Sequence, residues 1–151
     1  MTDDEIRTAC RITIHGVVQG VGFRPFVYRI AQRHQIAGWV LNDATGVEIH
    51  AEGAIADIAA FVHELRSNPP AAATIADFTS RDVAAENFHG FCIRQSRRET
   101  APTARISPDL AVCADCLREL ADPADRRYGY PYINCTNCGP RYSIIHHLPY
   151  D

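Results

Sequence analysis

Residues 14–26 read IHGVVQGVGFRPF, and the spacing of the apolar residues changes within this stretch. Before its glycines, apolar and polar residues alternate loosely over residues 10–18, which is typical of a half-buried strand. After the glycines, apolar residues recur at helical spacing from Phe23 to near His34. The sequence therefore predicts a strand, a glycine-rich loop and a helix in direct succession.

The loop has the composition of an anion-binding site. Glycine adopts positive φ readily, so Gly16, Gly20 and Gly22 allow successive backbone N–H groups to turn inward. Pro25 suits the first turn of the helix, whose free N–H groups then point into the loop. Arg24 lies at the same positive helix end, where a nearby phosphate or carboxylate would stabilise it. Taken alone, such a loop is more often a tight connection than a ligand site.

Further strands and a second helix follow. The apolar pattern predicts two strands, a helix and two more extended segments, at residues 36–41, 47–52, 55–65, 74–83 and 91–96. Turn residues at 42–46 join the first two of these strands as a hairpin, and the prolines at 69–70 end the helix. The order β-α-β-β-α-β predicts an α+β, ferredoxin-like fold, with two helices on one face of an antiparallel sheet. Cys10 and Cys92 stand alone in strands and are predicted to be buried.

The composition argues against a membrane protein and against a nucleic-acid-binding protein. The net charge is −3, and no basic patch stands out along the chain. No apolar run approaches the roughly 20 residues that a membrane span needs. The acidic residues 3–5 do not resemble a secretory signal. We therefore expect a cytoplasmic protein.

Four of the six cysteines form two C-x2-C pairs separated by eighteen residues. They are Cys113, Cys116, Cys135 and Cys138. This spacing is typical of a zinc site in which each pair supplies two thiolates of a tetrahedron. Four thiolates leave no open position, so the zinc would be structural, and His146 and His147 are not needed as ligands. The alternative is that the two pairs are redox-active, but their spacing favours a metal site.

The loop and the strand after the first helix resemble the signature of the acylphosphatase family. Residues 18–24 read VQGVGFR, with IHG before them at 14–16 and GWVLN after them at 38–42. The resemblance covers residues 8–96. It implies the ferredoxin-like fold and hydrolysis of the carboxyl-phosphate bond of acyl phosphates.

The same resemblance implies a role for each part of the site. Arg24 would bind the phosphate, Asn42 would orient the attacking water, and no metal ion is expected there. The backbone of the loop would cradle the phosphate oxygens through Val17, Val18, Gln19, Gly20, Val21, Gly22 and Phe23. These roles suit phosphoryl transfer to water, which needs charge stabilisation and an aligned nucleophile. A guanidinium offers a planar fork of donors to phosphate, and a neutral amide can both donate to and accept from water.

The cysteine segment, together with GPRYSI at residues 139–144, resembles the first zinc-finger segment of the hydrogenase-maturation carbamoyltransferases, the HypF family. Members of that family begin with an acylphosphatase-like domain. The resemblance implies an N-terminal fragment with such a domain at 1–96, a linker at 97–107 and an incomplete zinc-finger segment at 108–151. This part would hydrolyse carbamoyl phosphate to carbamate and phosphate. In the complete enzyme, ATP-dependent carbamoylation of a cysteine on a hydrogenase-maturation partner would follow.

Three alternatives stay open at this point. The family carries a second cysteine set downstream, so the four cysteines either share one zinc or pair with that set. The loop could bind phosphate without turning a substrate over. A ferredoxin-like sheet with a zinc knuckle could also bind RNA, but the aromatic sheet signature of RNA-binding domains is missing and the net charge is negative.

Overall fold

The structure, a computed structural model, describes residues 7–97, 111–135 and 138. The helices and strands of these residues are β1 Arg7–Val17, α1 Phe23–Arg33, β2 Ala37–Asn42, β3 Val47–Ala54, α2 Ile55–Ser67, β4 Thr74–Val83, β5 Phe91–Ile93 and α3 Ala114–Ala121. The predicted linker apart from Arg97, and residues 139–151 with His146 and His147, lie outside the described residues. Within the described ranges, every helix is too short or too polar to cross a membrane.

The strands of the described residues form one sheet in the order β4-β1-β3-β2-β5. β1 pairs antiparallel with β3 and β4, and β2 pairs antiparallel with β3. β5 pairs parallel with β2 at the edge of the sheet. Each of the first two helices therefore connects two parallel strands that have an antiparallel strand between them, as in the split β-α-β arrangement. The predicted α+β, ferredoxin-like fold is confirmed, and the predicted short fifth strand extends the sheet.

The two helices α1 and α2 enclose one hydrophobic core with the sheet. One stripe of each helix and alternate positions of the strands supply its buried side chains, which include Phe23, Val27, Ile30, Ile58, Phe61, Leu65, Ile12, Ile14, Val40 and Ile49. Burying each such side chain stabilises the fold by roughly 1.5–3 kcal/mol. The core therefore fixes α1, and with it the start of the helix that borders the glycine-rich loop.

The opposite face of the sheet carries a buried polar cluster that the apolar pattern did not predict. His50 and Glu52 alternate along β3 with core residues, and their side chains are 0% and 1% exposed. His50 Nε2 donates to Glu52 Oε1 at 2.7 Å. The backbone N–H groups of Glu86 and Phe88, from the segment between β4 and β5, donate to the same carboxylate. Glu52 thus holds this segment over the sheet.

Hydrogen bonding decides the ionisation of the Glu52 carboxyl. Desolvation by burial raises its pKa, but the hydrogen bonds from His50, Glu86 and Phe88 together outweigh the desolvation and lower the pKa from its ordinary value. The carboxylate form is therefore favoured in the folded protein.

The two isolated cysteines differ in burial. Cys10 on β1 is buried, as predicted. The prediction is wrong for Cys92, which is exposed. Phe91 is buried in the core, so the next side chain on β5 lies on the opposite face, and β5 is an edge strand. That face is not covered at Cys92.

Candidate functional site

The loop after β1 begins at an irregularity in the pairing of β1 with β4, between His15 and Gly16. Gly16 has a φ of +134°, and a Cβ atom there would lie 2.1 Å from the backbone oxygen of Thr74. The close approach of two strands therefore requires glycine at this position. The predicted positive φ of Gly16 is confirmed. The backbone of the neighbouring strand β4 leaves no space for a side chain at this position.

The next part of the loop presents a run of backbone donors. Gly20 and Gly22 have φ values of 71° and 74°, as the glycines predicted. In the described part of the chain, no backbone carbonyl accepts a hydrogen bond from the N–H groups of Gly20, Val21, Gly22 or Phe23. The side chains of Val21 and Phe23 are buried in the core, which fixes the backbone between them. Successive N–H groups beside a helix N-terminus form an anion-binding concavity.

Arg24 lies in the first turn of α1 and is half-buried. It lines an open groove of about 430 Å³ with Pro25, Ile93, Arg94 and Gln95. None of the described residues that line this groove is acidic, and the first turn of α1 contains no acidic residue. The Arg24 guanidinium and the positive end of the α1 dipole therefore favour an anion at the start of α1.

Asn42 is the last residue of β2 and is 1% exposed. Its backbone carbonyl accepts a hydrogen bond from the N–H of Arg97 at 2.9 Å. The turn that follows is closed by Asp43, whose Oδ1 accepts hydrogen bonds from the backbone of Thr45 and Gly46 and from the Thr45 hydroxyl, at 2.7–2.8 Å. Asp43 therefore supplies the side chain that a turn of this kind needs, and Asn42 stands at the end of a well-braced hairpin.

Two side chains tie this hairpin to the glycine-rich loop. Gln19 Nε2 donates to the backbone oxygens of Asp43 and Gly46, at 2.7 and 2.8 Å. His15 Nδ1 donates to the backbone oxygen of Thr45 at 2.9 Å. The structure thus brings the predicted loop and the hairpin of Asn42 into contact. Sequence reasoning missed the Gln19 side chain, because a single glutamine carries no periodic or spacing signal.

The four predicted cysteine ligands come together at the start of α3. The Sγ atoms of Cys113, Cys116, Cys135 and Cys138 all lie within 4.8 Å of one another. Three of the separations are 3.5, 3.9 and 3.9 Å. Thiolates about 2.3 Å from a tetrahedral zinc lie roughly 3.8 Å apart. The donor set and its spacing therefore fit zinc.

Burial and hydrogen bonding shift the pKa in the same direction for one of these thiols and in opposite directions for another. Burial raises the pKa of Cys116, and hydrogen bonds with the neighbouring thiols raise it further. For Cys138, desolvation raises the pKa, but the backbone N–H groups of Cys113 and Cys135 and the neighbouring thiols outweigh it and lower the pKa to about 7. Metal ligation requires deprotonated cysteines, so zinc would hold all four as thiolates.

Comparisons with known families match both units of the chain. The model of the Acylphosphatase family matches residues 10–93, and the model of the HypF finger matches residues 112–145. An acylphosphatase from Thermotoga maritima is 37% identical over 87 residues, which are 57% of this chain and 96% of that protein.

Longer proteins match almost the whole chain. Carbamoyltransferase HypF2 of Cupriavidus necator is 50% identical over 143 residues, which are 93% of this chain and 18% of that protein. The crystal structure of full-length HypF in a phosphate- and nucleotide-bound form has a TM-score of 0.94 and 48% identity, over 100% of this chain and 20% of that one. The chain thus spans about a fifth of the length of these relatives.

Proposed function

The chain belongs to the acylphosphatase family, and from that membership we propose that residues 10–93 hydrolyse the carboxyl-phosphate bond of an acyl phosphate. The observation that carries the proposal is the run of N–H groups from Gly20 to Phe23 beside the positive end of α1. A phosphate group offers several charged oxygens to such a run of donors. The HypF finger and the HypF relatives favour carbamoyl phosphate as the substrate.

In the proposed reaction, water attacks phosphorus, a new P–O bond forms, and the bond between phosphorus and the carboxyl oxygen breaks. The loop N–H groups and the Arg24 guanidinium would stabilise the charge on the phosphate oxygens. The Asn42 amide would orient the water, because it can both accept from and donate to it. Carbamoyl phosphate would give carbamate and phosphate. Since the chain itself supplies the positive charge, we propose that this site works without a metal ion.

The later steps belong, in our proposal, to a longer protein. There the carbamate would enter an ATP-dependent transfer to a cysteine of a hydrogenase-maturation partner. This chain covers only about a fifth of its HypF relatives, and these steps rest on that relationship. Four cysteines of the described residues are clustered as for a metal, which is typical of a reducing compartment. We therefore propose the cytoplasm as its location.

We propose that Cys113, Cys116, Cys135 and Cys138 hold one structural zinc in a zinc-finger segment at residues 108–151. The mutual approach of their sulfur atoms supports a single site over ligands shared with other cysteines. Only Ile133 adds a buried aliphatic side chain to the described core of this segment, so metal binding would replace a larger hydrophobic core. The acylphosphatase-like domain would occupy residues 1–96, with a linker at 97–107.

Phosphate release from carbamoyl phosphate tests the proposed function. Arg24→Ala should lower the rate about 10²–10³-fold, as expected for loss of one transition-state donor. Arg81→Ala is the matched control, because Arg81 lies exposed on the edge strand β4, and it should retain the wild-type rate. Wild-type turnover by a folded Arg24→Ala protein would contradict the assignment.

Two results would replace the hydrolase by a binding module. Phosphate binding by the wild type without any turnover would indicate a non-catalytic phosphate-binding domain. Salt-dependent association with RNA, again without turnover, would indicate an RNA-binding protein.

A further inference from the structure

The Gln19 side chain is buried although it belongs to a loop. It is 3% exposed. A primary amide carries two N–H donors, and the two hydrogen bonds of Gln19 Nε2 match that number. Both acceptors are backbone oxygens of the hairpin that follows Asn42. The side chain of Gln19 therefore faces the hairpin.

The hairpin is itself held by several hydrogen bonds, so a side chain bonded to it is fixed in position relative to Asn42. Asp43 Oδ1 holds the turn at three donors, and the N–H of Asp43 donates to the oxygen of Gly46 at 3.0 Å. A Cβ atom on Gly46 would lie 2.1 Å from the backbone oxygen of Ile14, so the turn packs directly against the end of β1. Movement of the loop relative to Asn42 would break the hydrogen bonds of Gln19.

We propose that Gln19 is a positioning residue, which sets the distance between the N–H groups of the loop and the Asn42 amide. The inference rests on the proposed function, because it assigns the phosphate to the loop and the water to Asn42. The Gln19 side chain acts on the reaction through the hairpin, and its backbone remains part of the cradle. Alignment of water and phosphate is the property that it controls.

Kinetics of Gln19→Met separate alignment from phosphate binding. Methionine keeps the length of the side chain but has no donor for the two carbonyls. Misplacement by about 1 Å can cost roughly 10²-fold in rate, so we expect kcat to fall at least about tenfold. Inhibition by inorganic phosphate, which in the proposed site reports on the loop and Arg24 but not on Asn42, should change less than about threefold. Gln32→Met, at an exposed position on α1, is the matched control and should leave both values unchanged.

Gln19→Glu provides a second variant with a pH signature. Its ionised carboxylate would face two carbonyl oxygens and could donate to neither, whereas the protonated acid can donate to one. Burial raises the pKa of a carboxyl above its usual value of about 4.3. The activity of Gln19→Glu relative to the wild type should therefore rise as the pH falls toward that pKa. A purely space-filling role for Gln19 predicts a constant ratio.

A double-mutant cycle tests the route through Asn42. If Gln19 acts by positioning Asn42, Gln19→Met should change the rate of an Asn42→Ala protein by less than about twofold. Multiplication of the two single effects in the double variant would overturn the inference.

NMR with inorganic phosphate as the probe separates this inference from the proposed function. In the wild type, phosphate should shift both the loop N–H signals and the Asn42 side-chain amide signals. In Gln19→Met, the loop signals should still shift while the response of Asn42 is lost or changed. An unchanged Asn42 response in Gln19→Met overturns the positioning role alone. A wild-type loop that does not respond to phosphate overturns the proposed function and the inference with it.

Discussion

Replacing the buried Glu52 carboxylate by an amide should destabilise the folded protein through the segment that it holds. Glu52 accepts hydrogen bonds from His50 Nε2 and from the N–H of Glu86 on one oxygen, and from the N–H of Phe88 on the other, at 2.5–3.1 Å. In Glu52→Gln, the amide oxygen can keep the first two donors. The amide NH2 then faces the N–H of Phe88, which is left unsatisfied.

The magnitude follows from these three contacts. An unsatisfied buried N–H costs about 1–3 kcal/mol, and loss of charge assistance weakens the other two bonds by about 1 kcal/mol each. The amide avoids the desolvation cost of a buried charge, which offsets part of this loss. We therefore expect Glu52→Gln to lower the free energy of unfolding by about 2–3 kcal/mol.

Urea unfolding followed by tryptophan fluorescence measures this change. Trp39 is the only tryptophan of the chain, and its ring stacks on His50 with centroids 6.0 Å apart. Glu86→Gln is the matched control, because that side chain is 50% exposed and its ion pair with Arg11 should contribute less than about 1 kcal/mol. A loss for Glu52→Gln no larger than that of the control would refute the reasoning.

The lowered pKa of Glu52 also predicts how the stability difference between the wild type and Glu52→Gln changes with pH. Because the pKa of Glu52 is lowered in the folded state, its stabilisation is fully present above the ordinary carboxyl pKa of 4.5. The stabilisation is lost as the pH falls through the lowered pKa. Glutamine does not titrate, so the stability difference between the wild type and Glu52→Gln should narrow below about pH 4.5. A stability difference that stays constant below about pH 4.5 would contradict the lowered pKa of Glu52.

Two further predictions concern the proposed sites. Asn42→Ala should lower the rate of phosphate release by about 10²-fold and leave inhibition by inorganic phosphate almost unchanged. Steady-state kinetics measure both values. Loss of phosphate inhibition would instead indicate that Asn42 is a phosphate ligand. Metal analysis of the purified chain should find one zinc per molecule and none in Cys135→Ser, because three thiolates bind zinc less tightly than four. An unchanged zinc content in Cys135→Ser, with Cys92→Ser as the control, would exclude Cys135 as a ligand.

The order of helices and strands was predictable because it depends on local patterns. The change of apolar spacing across Gly16 to Gly22, and the turn residues before Val47, are both features of adjacent residues. The resulting order β-α-β-β-α-β allows few arrangements of a sheet with helices on one face. The fold class therefore followed from the sequence.

The buried polar cluster was not predictable by the same means. His50 and Glu52 alternate with core residues, a pattern that normally indicates a solvent-facing side of a strand. Their cover comes from Glu86 and Phe88, more than thirty residues away, and its position depends on the finished sheet. Cys92 was mispredicted for the opposite reason, because the edge position of β5 leaves its outer face uncovered.

The candidate sites also contain features that the sequence predicted and one contact that it could not predict. The spacing of the four cysteines predicts a metal site, and the structure brings their sulfur atoms together. The glycines of the loop predict positive φ, which Gly20 and Gly22 adopt. The contact of Gln19 with the hairpin depends on how β1 and β3 pair across the sheet, so no local pattern could indicate it. The roles of Arg24 and Asn42 stay predictions.

The origin of the oxygen in the released phosphate tests the proposed reaction most directly. Acetyl phosphate, which is an acyl phosphate, would be hydrolysed in water labelled with heavy oxygen by the wild type, by Arg24→Ala and without protein. If water attacks phosphorus in the loop, the phosphate released by the wild type above background should carry one labelled oxygen, and Arg24→Ala should release almost none above background. Unlabelled phosphate from the wild type, or release that does not depend on Arg24, would contradict the proposed site.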